Sequence, residues 1–158
     1  MKDLSMNFDE SVKLNVRTTG VFLNKGKVLV HKCGEDGHYA LPGGRVQITE
    51  DSITALKREV KEELDLEVEN VTFAGVIENI FKAPECDFHE YMWLIKADFV
   101  DKSVYNLEKI IGKEEEKNLE FEWIEIGKLK EKDFRPLEAV PYLEKLDNGI
   151  QHLIIREY

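Results

Sequence analysis

The sequence predicts a mixed α/β (α+β) fold in which strands and helices form a sandwich. Segments rich in β-branched and aromatic residues recur along the 158-residue chain, and one segment changes to helical spacing of its apolar residues. A second helical segment follows near the C-terminus, so strands are interleaved with two helices. The length suits one ordinary domain and no linker or repeat divides it. We therefore expect a single domain over residues 1–158.

The N-terminal part of the chain predicts short strands joined by turns. Its extended segments are rich in β-branched residues, and a polar turn containing Gly26 separates two of them, which indicates a hairpin. A glycine-bearing loop then leads to a short apolar strand that ends at a Pro-Gly-Gly turn. The expected strand, turn, strand, loop and strand are residues 12–23, 24–27, 28–30, 33–38 and 39–41.

A helix is predicted from about residue 49 to Leu64. Thr49 or Asp51 is the expected N-cap, and the acidic residues at this end suit the positive end of the helix dipole. The remaining chain alternates between strand patterns and one further helix that starts near Pro136. The expected strands are 68–81, 89–100, 119–126 and 150–156, and the second helix is 136–146.

The composition excludes several classes of protein. The net charge is −10, so a basic surface for duplex nucleic acid is not expected. No apolar run reaches the roughly 20 residues that span a bilayer, and the first residues lack the apolar stretch of a secretory signal. We therefore expect a cytoplasmic protein without a membrane or duplex partner, in which Cys33 and Cys86 are free thiols.

Three glutamates of the first predicted helix share one face. At roughly 100° per residue, Glu59, Glu62 and Glu63 fall within an arc of about 100°, and the apolar residues are centred roughly 115° away. A solvated acidic surface is one interpretation. A divalent-cation site is the other, because Mg²⁺ prefers carboxylate and carbonyl oxygens. The Pro-Gly-Gly turn before the helix favours the second interpretation, since it lets backbone carbonyls approach the same point.

The segment 44–66 resembles the Nudix box of the Nudix hydrolases. That box reads G-x5-E-x7-R-E-U-x-E-E-x-G-U, where U is a bulky aliphatic residue. Asp65 stands where the box has its second glycine, at the end of the helix. Asp tolerates a positive φ better than most residues, so we expect a modest cost in stability and no loss of catalysis. The matching positions are Gly44, Glu50, Arg58, Glu59, Val60, Glu62, Glu63 and Leu66.

The resemblance implies a Nudix-type α/β/α sandwich with a mixed central sheet and a hydrolase that uses Mg²⁺, with Mn²⁺ as a substitute. Glu59 or a residue outside the box would be the general base. Arg58 would pair with a box carboxylate and fix its rotamer. Glu50 would lie near the metals or support the loop. The implied metal ligands are three carboxylates and one backbone carbonyl: Glu59, Glu62, Glu63 and Gly43.

Residues outside the box are assigned less directly. Glu120 is the preferred source of an extra metal-binding carboxylate, since family members often place one on that loop. Glu78 and the pair His89–Glu90 are the alternatives, and each is also consistent with a solvent-facing strand residue. The candidates for substrate contact are two arginines, one glutamate and one aromatic residue: Arg17, Arg45, Glu78 and Phe81.

The predicted function is hydrolysis of a phosphoanhydride bond in a nucleoside diphosphate linked to another moiety, such as a (d)NTP or a nucleotide sugar. The partner is thus a small-molecule nucleotide, and a homodimer is left open. Positions 81–83, where family subgroups carry marker residues, hold Phe-Lys-Ala and do not select a substrate. The alternative is a non-catalytic Nudix-fold sensor of nucleotides. Such modules usually lose box glutamates, whereas this chain retains all three.

Overall fold

The computed structural model describes residues 2–33, 37–113 and 119–157. Short 3₁₀ helices lie at Lys102–Asn106, Ile126–Glu131, Leu137–Ala139 and Leu146–Asn148. The strands are β1 (Ser5–Asn7), β2 (Val12–Val21), β3 (Leu23–Asn24), β4 (Lys27–Cys33), β5 (His38–Ala40), β6 (Gly43–Arg45), β7 (Val68–Lys82), β8 (Asp87–Phe99), β9 (Lys109–Ile111), β10 (Glu120–Glu125) and β11 (Gln151–Glu157). The α-helices are α1 (Ser52–Leu64) and α2 (Val140–Leu143).

The central sheet is mixed and has the strand order β1-β2-β8-β7-β11, with β6 paired to β2. The pairs β2–β8 and β7–β11 are parallel, and the long hairpin of β7 and β8 is antiparallel. A second sheet has the order β3-β4-β10-β9, with β5 paired to β4. The mixed sheet and few helices confirm the predicted fold class.

Two hydrophobic clusters lie on the two faces of the central sheet. Strand β8 contributes to both, because successive side chains of a strand point to opposite faces: Leu94 enters one cluster and Ile95 the other. Helix α1 covers the Ile95 side with Leu56, whereas α2 covers the Leu94 side with Val140. The predicted α/β/α layering follows from these two helical covers.

Helix α1 begins and ends at residues suited to those positions. The Asp51 side chain accepts hydrogen bonds from the backbone N–H groups of Ile53 and Thr54, each at 2.9 Å, which caps the helix. Asp65 ends it in the left-handed region at φ 56°. The cap at Asp51 and the positive φ at Asp65 are both as predicted.

The predicted hairpin between residues 12–23 and 28–30 is wrong in its pairing. Strand β2 pairs with β8 in the central sheet, and Leu23–Asn24 is the part that pairs with β4. The chain changes sheets at Phe22, whose side chain is fully buried in the α1-side cluster. The turn itself is confirmed, since Lys25 and Gly26 adopt φ values of 50° and 80°.

The predicted helix over residues 136–146 is also interrupted. A 3₁₀ turn at Leu137–Ala139 precedes the single turn of α2, and a further 3₁₀ turn follows at Leu146–Asn148. Pro141 explains the break, because proline has no backbone N–H and its ring clashes with the preceding turn of a helix.

None of the helices in the described ranges is long and apolar enough to cross a membrane.

Candidate active site

A cleft of about 1540 Å³ lies where helix α1 and strand β6 meet the α2-side face of the central sheet. Its walls also include β5 and the segment that precedes α2. Three carboxylates of α1 line it, as do the backbone of the Pro-Gly-Gly turn and several polar side chains of the central sheet. The contributions of α1 and the turn are Arg58, Glu59, Glu62, Glu63, Gly43 and Gly44.

Two of the three helix carboxylates are buried. Glu59 and Glu63 are only 8% and 4% exposed, whereas Glu62 is exposed at the mouth of the cleft. Burying carboxylates is costly unless cations or hydrogen-bond donors compensate their charge. This burial is not expected of a merely solvated acidic surface. It indicates a site in which cations or hydrogen-bond donors compensate the negative charge.

The two glycines before α1 bring the backbone against the helix. A Cβ on Gly44 would lie 2.3 Å from the carboxyl carbon of Glu59, so a larger residue there would displace that carboxylate. Gly43 adopts φ 138°, and a Cβ there would lie 2.2 Å from the Thr18 carbonyl oxygen of β2. The glycine pair therefore packs β6 between β2 and the buried carboxylate of Glu59.

Arg58 links the loop before α1 to the carboxylates of the helix. Its guanidinium donates to both carboxylate oxygens of Glu50, each at 2.9 Å, and to the Arg45 carbonyl at 3.0 Å. It also donates to Glu59 at 2.6 Å and to Glu62 at 3.1 Å. One cation therefore fixes the loop and two of the three carboxylates relative to each other.

Glu50 supports the loop rather than lining the cleft. Besides Arg58, it accepts a hydrogen bond from the backbone N–H of Gln47 at 3.0 Å. The hydrogen bonds from Arg58 hold the pKa of Glu50 below its usual value, against the opposing effect of burial. The same pairing raises the pKa of Arg58. Both groups are thus charged at neutral pH.

The donor atoms around the cleft suit a hard divalent cation. Glu59, Glu62 and Glu63 offer carboxylate oxygens, the ligand type that Mg²⁺ and Mn²⁺ prefer. Within the described ranges, no three His, Cys, Asp or Glu side chains already form a closed metal cage. Mg²⁺ does not require one, since it usually keeps several waters and binds through few carboxylates plus substrate phosphates. The residues present therefore fit such an ion.

The candidate substrate residues Arg17, Arg45 and Phe81 all line the cleft. Arg17 extends from β2, and its buried Nε has no hydrogen-bond partner in the part of the chain that the structure describes. Arg45 pairs with Asp3 at 3.3 Å near the rim. Phe81 stacks on Phe88 of the neighbouring strand with ring centroids 5.0 Å apart. These positions bring cationic and aromatic groups to the same cleft as the carboxylates.

Glu78 does not reach this cleft. It lies on β7 between Ile77 and Asn79, and strand alternation turns it to the opposite face of the sheet. There its carboxylate lies 2.8 Å from His152 and 3.9 Å from His89. The structure thus does not bring Glu78, an expected substrate-contacting residue, to the cleft that the α1 carboxylates line.

Glu120 is likewise not among the residues that line the cleft. Its carboxylate pairs with Lys109 of β9 at 2.5 Å, on the side of β10 opposite the buried Phe121. The same alternation of side chains along a strand explains this position. The structure thus does not bring Glu120, the expected extra metal ligand, to the carboxylates of α1.

Glu90 is the alternative carboxylate that does line the cleft. Its strand neighbour His89 faces away and stacks on Tyr91. Asn79, which sequence analysis did not assign, also lines the cleft next to Glu90. A usable signal was present in the sequence: Glu90 shares its strand parity with Met92 and Leu94, so it is a charged residue at an inward-facing position.

Comparison with known proteins places the chain among related folds. A profile of the NUDIX domain matches residues 14–145. An ADP-ribose pyrophosphatase from Streptococcus suis superposes with a TM-score of 0.63 at 15% identity, covering 89% of this chain and 98% of that one. A MutT NUDIX hydrolase from Burkholderia pseudomallei has a TM-score of 0.59 at 24% identity, covering 83% and 96%. A NUDIX hydrolase from Nitrosomonas europaea has a TM-score of 0.63 at 20% identity, covering 96% and 82%.

Proposed function

Because the chain belongs to the NUDIX domain family, we propose that it hydrolyses a phosphoanhydride bond in a nucleoside diphosphate linked to another moiety, such as a (d)NTP or a nucleotide sugar. The reaction would use Mg²⁺, with Mn²⁺ as a substitute. The observation that carries the proposal is the pair of buried carboxylates, Glu59 and Glu63, which line one cleft with Glu62, and of which Glu59 packs against Gly44.

The residues that would hold the cation are the three carboxylates of α1, together with the carbonyl of Gly43. When bound, Mg²⁺ neutralises charge on the phosphates and favours ionisation of water. A glutamate of this cluster would accept the proton of the attacking water, and Glu59 is the candidate that packs directly against Gly44. The strand carboxylate Glu120 has no part in this proposal, because its partner is Lys109.

Arg58 and Glu50 would act as positioning residues. Arg58 contacts Glu59 and Glu62 while Glu50 and the Arg45 carbonyl hold its other nitrogens, so the carboxylates keep one orientation in the cleft. Such fixed orientation reduces the reorganisation that a reaction would otherwise require. The Arg17 guanidinium, with its unpartnered Nε, would bind a substrate phosphate.

The experiment that tests this proposal is a panel of nucleotide substrates, assayed for released phosphate or nucleotide with Mg²⁺ and again with a chelator. The panel includes nucleoside triphosphates and nucleotide sugars, because the fold is shared by MutT proteins and an ADP-ribose pyrophosphatase and selects neither class. We expect at least one substrate to be cleaved, with the activity lost in chelator. Metal-independent release, or nucleotide binding with no turnover of any substrate, would contradict the proposal.

A further inference from the structure

Buried polar side chains lie next to each other on three neighbouring strands of the central sheet, and two of them, Glu90 and Asn79, line the cleft. Asn15 of β2 pairs in register with Glu90 of β8, which pairs in turn with Asn79 of β7. The next residues along these strands on the same face include the apolar Met92 and Ile77, which belong to the core. Polar residues at such positions require partners, and the protein itself supplies few of them.

Glu90 has a buried carboxylate with no ion-pair partner among the residues that the structure describes. The residue is 6% exposed, and its side chain has one hydrogen bond among the described residues, from the Asn15 amide nitrogen at a long 3.4 Å. A buried carboxylate normally has an ion-pair partner or several hydrogen-bond donors, because its desolvation is otherwise uncompensated. The second oxygen of Glu90 is therefore an acceptor to which a bound molecule in the cleft can donate.

Asn79 presents a second unsatisfied acceptor beside the first. The residue is 8% exposed, and its Oδ1 is buried without a hydrogen-bond partner in the described part of the chain. It lies directly opposite Glu90 in the β7–β8 pair, so the two side chains leave the sheet on the same side. A ligand that carries adjacent donors can satisfy both acceptors at once.

Asn15 fixes the orientation of Glu90 without filling the remaining acceptor sites. The Ser5 hydroxyl donates to the side-chain oxygen Oδ1 of Asn15 at 2.7 Å, and this directs the side-chain nitrogen Nδ2 of Asn15 to Glu90. This contact orients the Glu90 carboxylate before any ligand arrives. Preorganised acceptors of this kind discriminate strongly between ligands that do and do not supply the matching donors.

We propose that Glu90 and Asn79 bind the N1–H and 2-amino edge of a guanine base. The inference rests on the proposed function, because it assigns the base of the nucleotide whose phosphates meet α1. Guanine places two donors side by side, which matches the two oxygens of Glu90, and its second amino hydrogen matches Oδ1 of Asn79. Adenine has an acceptor, N1, at this edge, and an acceptor cannot form a hydrogen bond with the carboxylate of Glu90.

The surrounding residues are spaced for a nucleotide in this orientation. Phe81 follows Asn79 by two residues on the same face, about 7 Å along the strand, and provides a ring against which a base can stack. Arg17 follows Asn15 by the same interval on the side toward β6 and Gly44. The base would thus lie at Glu90, and the phosphates would extend toward Arg17 and the carboxylates of α1.

The test measures binding of GMP, IMP, AMP and dGMP by calorimetry in the presence of a chelator, so that hydrolysis and metal play no part. We expect GMP to bind at least about tenfold more tightly than AMP, and IMP to lose most of that advantage because it lacks the 2-amino group. We expect dGMP to match GMP. If GMP shows no preference over AMP, including the case in which neither binds, the inference is overturned. Dependence on the 2′-hydroxyl rather than the base would overturn it as well.

Variants sharpen the test. Glu90→Gln keeps the side-chain shape but offers one donor and one acceptor, the pattern that complements adenine, so the preference should fall about tenfold or reverse toward AMP. Asn79→Leu should reduce the difference between GMP and IMP. The control is Glu108→Gln, an equal charge change at an exposed position away from the cleft, which should leave the preference unchanged. Circular dichroism verifies that each variant is folded.

Turnover separates this inference from the proposed function. If the parent prefers GMP in chelator but cleaves no nucleotide with Mg²⁺, the base site stands and the hydrolase proposal fails. If the parent cleaves nucleotides without a base preference, the hydrolase proposal stands and the base site fails. If Glu90→Gln lowers turnover equally for all bases and leaves metal-free binding unchanged, Glu90 belongs to the metal centre and the inference is overturned.

Discussion

Glu50→Gln removes one charge from the group of residues that holds the loop to α1. The parent side chain is only 8% exposed and accepts two hydrogen bonds from Arg58 at 2.9 Å and one from Gln47 at 3.0 Å. Glutamine keeps one acceptor and places an amide N–H against the guanidinium, so one charged hydrogen bond is lost. Hydrogen bonds to charged groups contribute about 1.5–3 kcal/mol, and Arg58 retains Glu59 and Glu62 as partners.

We therefore expect Glu50→Gln to lower the free energy of unfolding by about 2–3 kcal/mol at neutral pH. For a domain of this size, the melting temperature should fall by roughly 5–10 °C, measured by calorimetry. Turnover should fall by about tenfold, because Glu50 no longer holds Arg58 in the orientation that fixes Glu59 and Glu62. Equal melting temperatures for parent and variant at pH 7 would refute the structural role assigned to Glu50.

The same variant has a defined pH dependence. The pKa of Glu50 in the folded protein lies below its ordinary value of 4.5, so its stabilisation is fully present above that value. As the pH falls through the lowered pKa, the parent carboxyl becomes protonated and the stabilisation is lost. The gap between parent and variant should thus close at acidic pH. A gap that stays constant down to pH 3 would show that the charge of Glu50 is not its source.

Three further predictions follow from the cleft. At a hundredfold excess over Kd, Mg²⁺ should stabilise the protein by about 2.7 kcal/mol and raise its melting temperature by several degrees. NaCl at the same ionic strength should raise the melting temperature of the parent much less. Mg²⁺ should likewise have a much smaller effect on the Glu59→Gln/Glu63→Gln double variant. Gly44→Ala should lower turnover at least about tenfold, because the new Cβ would lie 2.3 Å from the Glu59 carboxyl carbon. The same contact should lower the free energy of unfolding, measured in denaturant, by about 1–3 kcal/mol. Kinetics like those of the parent would contradict the packing argument. The rate of hydrolysis with Mg²⁺ should rise from neutral to alkaline pH, measured in a stopped assay at each pH. A hydrolysis rate that falls steadily over that range would contradict proton loss from water or a glutamate.

Local signals in the sequence were sufficient for α1 and its surroundings. The N-cap at Asp51, the left-handed end at Asp65 and the shared face of the glutamates depend on contacts within a few residues, which helical geometry determines. The long strands β7 and β8 were also predictable, because their β-branched and aromatic content extends over many residues.

The features that could not be predicted from the sequence depend on the tertiary arrangement of the strands. Whether Glu78 or Asn79 faces the cleft depends on which face of the central sheet borders the cleft, and adjacent residues on a strand carry no local signal of that choice. The change of sheet at Phe22 similarly depends on long-range pairing of β2 with β8. Pro141 did carry a local signal against a continuous second helix, since proline interrupts helical hydrogen bonding.

The measurement that tests the central claim most directly is the turnover of Glu63→Gln with saturating Mg²⁺, on the best substrate of the panel. Glu63 is 4% exposed, and glutamine retains its shape while removing the charge. Turnover should fall by at least about a hundredfold, equivalent to roughly 2.7 kcal/mol of transition-state stabilisation, and the variant should remain folded. Glu108→Gln, the exposed control, should keep parental turnover. Near-parental turnover in Glu63→Gln would contradict the assignment of the α1 carboxylates as the catalytic metal site.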